Sequence, residues 1–574
     1  MDNMKPASAF DRGGSGKRLS GSLWLFVVVF CLLYAPFLGQ AFHIDDVGFI
    51  NPSKAIGWNP LKVRSSDTEY VYGLPQARKG TVGVPHEGTH SVLMSYFIKI
   101  IIALAGEKEL MLHLAFLIFP AIALICLAKL NTVLFASSFG VQQSLLYLIL
   151  SMPAFLVNSH TIMSDVPSLA VLLAAMLLFS LSVENGAPVH AYAGGLALTI
   201  AVFMAYQMLA FVPVIFCYAA LKKRLNRHIV ASLLLPALLL AGWLLTIYNL
   251  YGVFPLLKGS SARGEVIALE IQRGLLSRVF IGKVISAFAN IGASLLFALI
   301  LFSSVRKALV RFLLGISALS AASYGVLRTA ADYPIADTLV LSCMVATGLI
   351  SVLAVITVVV TSEDRGGRSR DLFLLFWAFI VIVYNIVVLP FGAARYMLPA
   401  LPPMLLILVN AKPGLGSESV VLKTTGVILA CALVFGWMSS YSDYRYAQTY
   451  QDFAQEAKIF RSESAGTGTV WYIGRWGMQY YMEKEGFPML SADSHELKKG
   501  DFLIVPEMPR FWQPSPDVLK RLKTYATREF VSPVPLRLFN RRSNAGFYEH
   551  QWGLLPFSFS RAPDEYFQIV EVTS

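Results

Sequence analysis

Apolar residues in this chain neither alternate nor recur at amphipathic spacing over most of its length. They come in long runs such as LWLFVVVFCLLYAPFLG from Leu23 and FLLFWAFIVIVYNIVVLP from Phe373, separated by short polar stretches. Runs of this length predict helices that face lipid. Hydropathy places such spans at 21–40, 110–130, 141–158, 164–183, 191–206, 208–221, 229–248, 284–304, 312–328, 336–360, 372–390, 397–411 and 419–439, about thirteen in all. The stretch 90–105 (HSVLMSYFIKIIIALA) is apolar but short and carries Lys99, so it reads as a helix lying on the membrane surface.

The composition closes off a soluble reading. Of 574 residues, 56% are hydrophobic and 14% charged, with a mean hydropathy of +0.60. Soluble domains are about a quarter charged, and a single core stops growing near ~250–300 residues. The net charge of +12 does not signal nucleic acid, because the sequence has no zinc-finger, helix-turn-helix or RNP-type pattern. The basic residues instead mark orientation. From a cytoplasmic N-terminus behind Lys17-Arg18, span alternation puts Lys129, Lys222-Lys223-Arg224, Arg306-Lys307, Arg365, Arg368, Arg370 and Lys412 on the same, inner side. Were 90–105 a span, nearly every later basic loop would fall outside. Three sizeable segments then lie outside: 41–109, 249–283 and the tail from about 441.

The tail has a different texture. TVWYIG, DFLIVPE and YFQIVEV read as strands and GMQYYMEKEG as a helix, so residues 441–574 predict an extracytoplasmic α/β domain after a transmembrane domain of residues 1–440. Its aromatic stretches, Gly474–Gly477 and Tyr548–Trp552, are more often core than site. The five cysteines all fall inside apolar spans, which excludes a disulfide framework.

Four features carry candidate chemistry. His43-Ile44-Asp45-Asp46 follows the first span, and adjacent carboxylates at a membrane exit are either solvated or in use. Asp165, followed by Pro167, stands at the outer mouth of the fourth span, where capping is the plainer role and does not exclude catalysis. His86-Glu87-Gly88-Thr89-His90 has HExxH spacing for a metal, although Pro85 and Gly88 argue against a continuous helix. Arg395-Tyr396, at the outer end of a span and far from the basic inner loops, offers a guanidinium fork for phosphate; snorkelling to headgroups is the alternative.

In this order the pieces resemble the GT-C superfamily of membrane glycosyltransferases, in the branch of protein O-mannosyltransferases and the lipid A aminoarabinose transferase. The resemblance rests on the acidic pair after the first span, His86-Glu87 before a short helix, Asp165, and the segment Arg395-Tyr396-Met-Leu-Pro399, and it covers most of residues 20–440. The Pro expected after Glu87 is missing, and Tyr206-Gln207 stands where relatives often carry Lys.

The resemblance implies a mainly α, polytopic fold and a sugar donor linked to a polyprenyl phosphate. The acceptor would be an extracytoplasmic hydroxyl on a lipid, glycan or protein. Asp45 would act as general base in an inverting displacement, with Asp46 or Asp165 in support. Arg395, Tyr396 and His90 would bind the donor phosphate, and a divalent metal near His86 and Glu87 is admitted. A bacterial inner membrane, with the C-terminal domain periplasmic, is the expected location. A zinc peptidase built on His86, Glu87 and His90 and a transporter of lipid-linked sugars are the competing readings. The sequence lacks the internal symmetry that the second would favour.

Overall fold

The structure, a computed structural model, describes residues 24–58, 93–251, 278–302, 306–330, 333–362, 365–411, 418–463, 468–490, 497–508 and 516–573. Among these, seven helices are long and apolar enough to cross a membrane, or eight if the bent pair Phe139–Ser151 and Pro153–His160 forms one span. Five further apolar helices have 10–17 residues. Four of these, Trp24–Phe37, Pro188–Met204, Tyr206–Leu221 and Ala394–Asn410, stand at expected spans; the fifth, Leu93–Ala105, rises only about 20 Å, short of the hydrocarbon core. The expected span 312–328 is the helix Arg306–Ala330, which is outside both groups. The chain is an integral membrane protein with a mostly helical, polytopic fold.

Bundle packing follows small residues. Helices Arg278–Phe302 and Ile335–Thr361 approach through Gly292 and Gly348, where a Cβ would run into the backbone carbonyls of Met344 and Phe288. Lipid tails supply no hydrophobic drive between helices, so close backbone approach through such residues provides the van der Waals contact.

The shorter helices owe their length to breaks near their ends. The first ends at Phe37 and gives way to residues 38–45, and the bent pair turns by 66°. Pro188–Met204 stops before a 3-10 turn, Tyr206–Ala210. Irregular backbone at membrane depth survives only where protein buries it or where it lines a cavity, and the segment 153–164 is buried throughout.

Beyond the bundle, the helix Glu418–Glu463 runs on without a break for 46 residues, about 69 Å. It leads into a four-stranded sheet of β1 (Val470–Tyr472), β2 (Phe502–Pro506), β3 (Leu522–Phe530) and β6 (Glu565–Val572) in the order β1-β2-β6-β3. A two-stranded ribbon joins β4 (Phe539–Asn540) to β5 (Ala545–Gly546). The expected strands are β1, β2 and β6, and the expected helix is Trp476–Lys484. Strand β3 was not foreseen: LKTYATREF is a largely exposed edge strand and lacks the apolar alternation that signals a half-buried one.

Candidate active site

The chain leaves its first helix through Gln40, Ala41, Phe42 and His43, all buried. Phe42 N–H donates to Tyr481 Oη at 2.9 Å, and Gly477 packs so tightly on the Phe42 carbonyl that a Cβ would clash. The turn then passes through Ile44 at φ 46°. A β-branched residue in the left-handed region is strained by roughly 1–3 kcal/mol, and surrounding contacts must hold it there. The consequence is a split between the two carboxylates.

Asp46, the first residue of the helix Asp46–Ala55, is fully buried. Its Oδ1 accepts from Ile162 N–H at 2.7 Å and its Oδ2 from His43 N–H at 3.1 Å. Asp45 points the other way: its side chain is 35% exposed, and Oδ2 accepts from Arg395 Nη2 at 2.8 Å.

Arg395 comes from the short turn Ala394–Met397 and is nearly buried. Its Nη1 donates to Met163 Sδ at 2.8 Å, and its guanidinium carbon lies 5.3 Å from the Tyr396 ring centroid. Asp165, the first residue of the helix Asp165–Asn185, adds its negative charge to the field at Arg395. The structure therefore gathers Asp45, Arg395, Tyr396 and Asp165 from three distant stretches of sequence, with Asp46 bracing Asp45 from behind.

The C-terminal segment closes this site. Ala394 N–H donates to Phe547 O at 2.9 Å, and His550 and Gly392 exchange two bonds: His550 N–H to Gly392 O at 2.9 Å and Gly392 N–H to His550 Nδ1 at 3.0 Å. Burial and the nearby Lys283 push the His550 imidazole down to about 4, so at neutral pH its Nδ1 is free to accept that bond. Burial pushes the adjacent Glu549 carboxyl up, against the pull of Arg395.

A second polar cluster underlies the first. His43 Nε2 stands 2.9 Å from Asp443 Oδ2 and 3.3 Å from Tyr548 Oη, and Tyr548 donates to Asp443 Oδ1 at 2.9 Å. His43 Nδ1 lies 3.4 Å from Asp46 Oδ2. Burial alone would lower the His43 pKa, but Asp443 and then Asp46 raise it to about 10. The imidazole is therefore a buried cation at neutral pH.

Because the folded value lies above the ordinary 6.5, the cation's contribution to stability is complete below about pH 6.5. It drains away as pH rises through about 10. Thermal unfolding in detergent is expected to show a falling midpoint between pH 7 and pH 10, and His43→Gln is expected to flatten that slope. An unchanged slope in the variant would assign the pH dependence elsewhere.

His86, Glu87 and His90 lie outside the described residues. Among the described residues no group of three or more His, Cys, Asp and Glu side chains could hold a metal ion. Sequence reasoning missed Asp443, Tyr548 and Glu549. Asp443 carried a faint signal, since it is an acid four residues past the expected end of the last span, 439.

Residues 89–251 match the family of dolichyl-phosphate-mannose-protein mannosyltransferases. The match covers less than a third of the chain. The matched stretch contains Asp165 and leaves Asp45 and Arg395 on either side. No curated protein matches the chain's sequence.

Among solved structures it is similar to ArnT from Cupriavidus metallidurans bound to undecaprenyl phosphate. That pair has 14% identity and a TM-score of 0.39 over 88% of this chain and 96% of the other. The apo oligosaccharyltransferase of Archaeoglobus fulgidus gives 10% identity and a TM-score of 0.44 over 82% of this chain and 64% of the other. The mycobacterial arabinofuranosyltransferase AftD gives 12% identity and a TM-score of 0.38 over 99% of this chain and 40% of the other. The chain thus spans less than two thirds of the length of the last two.

Proposed function

We propose that the enzyme moves a sugar from a polyprenyl-phosphate donor to a hydroxyl on an extracytoplasmic acceptor, in a single inverting displacement. The observation that carries this reading is the ion pair between a half-exposed carboxylate, Asp45, and a nearly buried guanidinium, Arg395. The match of residues 89–251 to the family of dolichyl-phosphate-mannose-protein mannosyltransferases supports the choice of donor class.

In this reading the donor phosphate competes with Asp45 for Arg395. The donor's phosphodiester, a monoanion like the carboxylate, presents two oxygens to the guanidinium fork, and its arrival releases Asp45. The freed carboxylate takes the proton from the acceptor hydroxyl as that oxygen attacks the anomeric carbon. The bond to the phosphate oxygen breaks on the opposite face, and the electron pair leaves with the lipid phosphate. Arg395 neutralises the charge that grows there, in surroundings dry enough for a fixed cation to count for more than it would in water. Asp165 adds negative charge beside Arg395 and keeps the guanidinium from binding phosphate too tightly to let it go. Asp46 is a positioning residue, since backbone amides occupy both its oxygens.

The enzyme sits in a bacterial inner membrane with its N-terminus cytoplasmic, and the sheet-bearing part beyond about residue 440 lies on the periplasmic side. This places Asp45, Asp165 and Arg395 on the face where a flipped lipid-linked sugar arrives.

The test is transfer by the purified protein in detergent. Polyprenyl-phosphate hexoses and pentoses serve as donors, with a lipid, a glycan and a Ser/Thr peptide offered as acceptors. Release of free polyprenyl phosphate together with a glycosylated acceptor is expected. Arg395→Lys keeps the charge and loses the fork, so a fall in turnover of about 10²–10³-fold is expected. Full turnover in that variant would remove Arg395 from the phosphate site.

A further inference from the structure

Beside the ion pair, at Tyr396, lies a small open cleft. Its lining includes the apolar Phe211 and Ile380 and the polar Gln207, Tyr384, Asn385 and Tyr396. Tyr396 connects the two places, since its ring also lies against the Arg395 guanidinium. The cleft has a cation near its other side as well: Lys283, wholly buried, donates from Nζ at 3.0 Å to the carbonyl of Leu389, another lining residue.

Asn385 is the unusual member. It sits near the end of the helix Arg365–Val387, in an otherwise apolar stretch, and is only 1% exposed. Among the described residues neither its Nδ2 nor its Oδ1 has a hydrogen-bond partner. A buried amide left unsatisfied is costly, and buried polar side chains in native proteins are nearly always paired. Polar residues inside membrane helices that face a cavity mark substrate paths. An amide offers a donor and an acceptor side by side, the pattern that pairs with adjacent hydroxyls on a sugar ring. The aromatic and aliphatic side chains that line the same cleft would cover the ring's apolar face. Small-molecule sites have this make-up, mostly apolar with a few convergent polar groups.

We propose that this cleft holds the sugar ring of the lipid-linked donor and that Asn385, with Gln207 beside it, reads the ring's hydroxyls and sets which sugar is transferred. The inference rests on the donor class proposed above. It places the ring beside Tyr396, so that its phosphate reaches Arg395 and its anomeric carbon lies toward Asp45. It also gives Gln207 a use: this side chain lies in the Tyr206–Ala210 turn and lines the same cleft.

Asn385→Leu tests it. Leucine keeps the branching at Cγ and removes an amide that has no partner among the described residues, so the thermal unfolding midpoint is expected to stay level or rise. Binding is measured on the full-length protein in detergent with three probes: a polyprenyl-phosphate hexose, a polyprenyl-phosphate pentose and sugar-free polyprenyl phosphate. The wild type is expected to bind one sugar-bearing lipid more tightly than the sugar-free one. Asn385→Leu is expected to lose about tenfold in affinity for that lipid and nothing for the sugar-free one. An equal loss on both, or no loss on either, would overturn the role of Asn385 while leaving the donor class intact. If the wild type binds none of the three, the donor class itself fails. A lower unfolding midpoint would show that the amide is engaged within the fold, which also overturns the proposal.

Discussion

Asp45→Asn is expected to cut transfer by about 10²–10⁴-fold, the range that a positioned general base contributes. In the site, Asp45 combines partial exposure with a direct ion pair to the guanidinium. Asp46 has both oxygens engaged and no exposed surface, and Asp165 acts at the first turn of its helix. The substitution suits the question because the amide keeps the size of the carboxylate and an oxygen for Arg395 to donate to. The protein is expected to insert, to unfold at nearly the wild-type temperature and to retain affinity for polyprenyl phosphate. The amide cannot accept a proton at accessible pH, so the loss should fall on turnover rather than on donor binding. Full activity in this variant would eliminate Asp45 as the base.

The largest effect on stability is expected from Asp443→Ala. Asp443 accepts from Gln40 Nε2 at 3.1 Å, from Tyr548 Oη at 2.9 Å and from the His43 imidazolium at 2.9 Å, all in the protein interior. Removing it leaves a buried cation facing Asp46 alone and strands a phenol and an amide. Breaking one side of a buried ion pair costs about 3–5 kcal/mol, far more than the intact pair contributes on balance. Thermal or denaturant unfolding in detergent measures this loss. His43→Leu combined with Asp443→Leu is expected to be less damaging than the sum of the single changes, because the double change leaves no stranded charge. An unchanged midpoint in Asp443→Ala would mean that Asp46 holds His43 without help.

The bundle was legible because each span is a local run of apolar residues, and nothing distant is needed to see it. Asp45, Asp165 and Arg395 were legible for a related reason: a charged side chain at the end of an apolar run stands out against its neighbours. The His43–Asp443–Tyr548 cluster had no such contrast. Its members are separated by up to 505 positions, and each sits among ordinary polar or aromatic residues. Their pairing is a property of how the long helix Glu418–Glu463 and the segment around Tyr548 come back to the first loop. The division of labour between Asp45 and Asp46 was equally hidden, because it depends on the backbone at Ile44 taking a conformation that its side chain disfavours. Asn385 looked like one more polar residue in a span, and only the cleft in front of it gives its amide something to do.

The contact between His43 and Tyr548 has a consequence for how the molecule is made. The two partners emerge from the ribosome 505 residues apart. Chains grow at about 5–20 residues per second and fold largely unit by unit as they emerge. His43 and the turn that presents Asp45 therefore wait roughly half a minute or more, inserted but unfinished, for the segment that pairs with Gly392 and Ala394. A chain cut short before Phe547 would lack the contacts with Gly392 and Ala394 that close the candidate site. Arrival of the Tyr548 segment and completion of that site become one event.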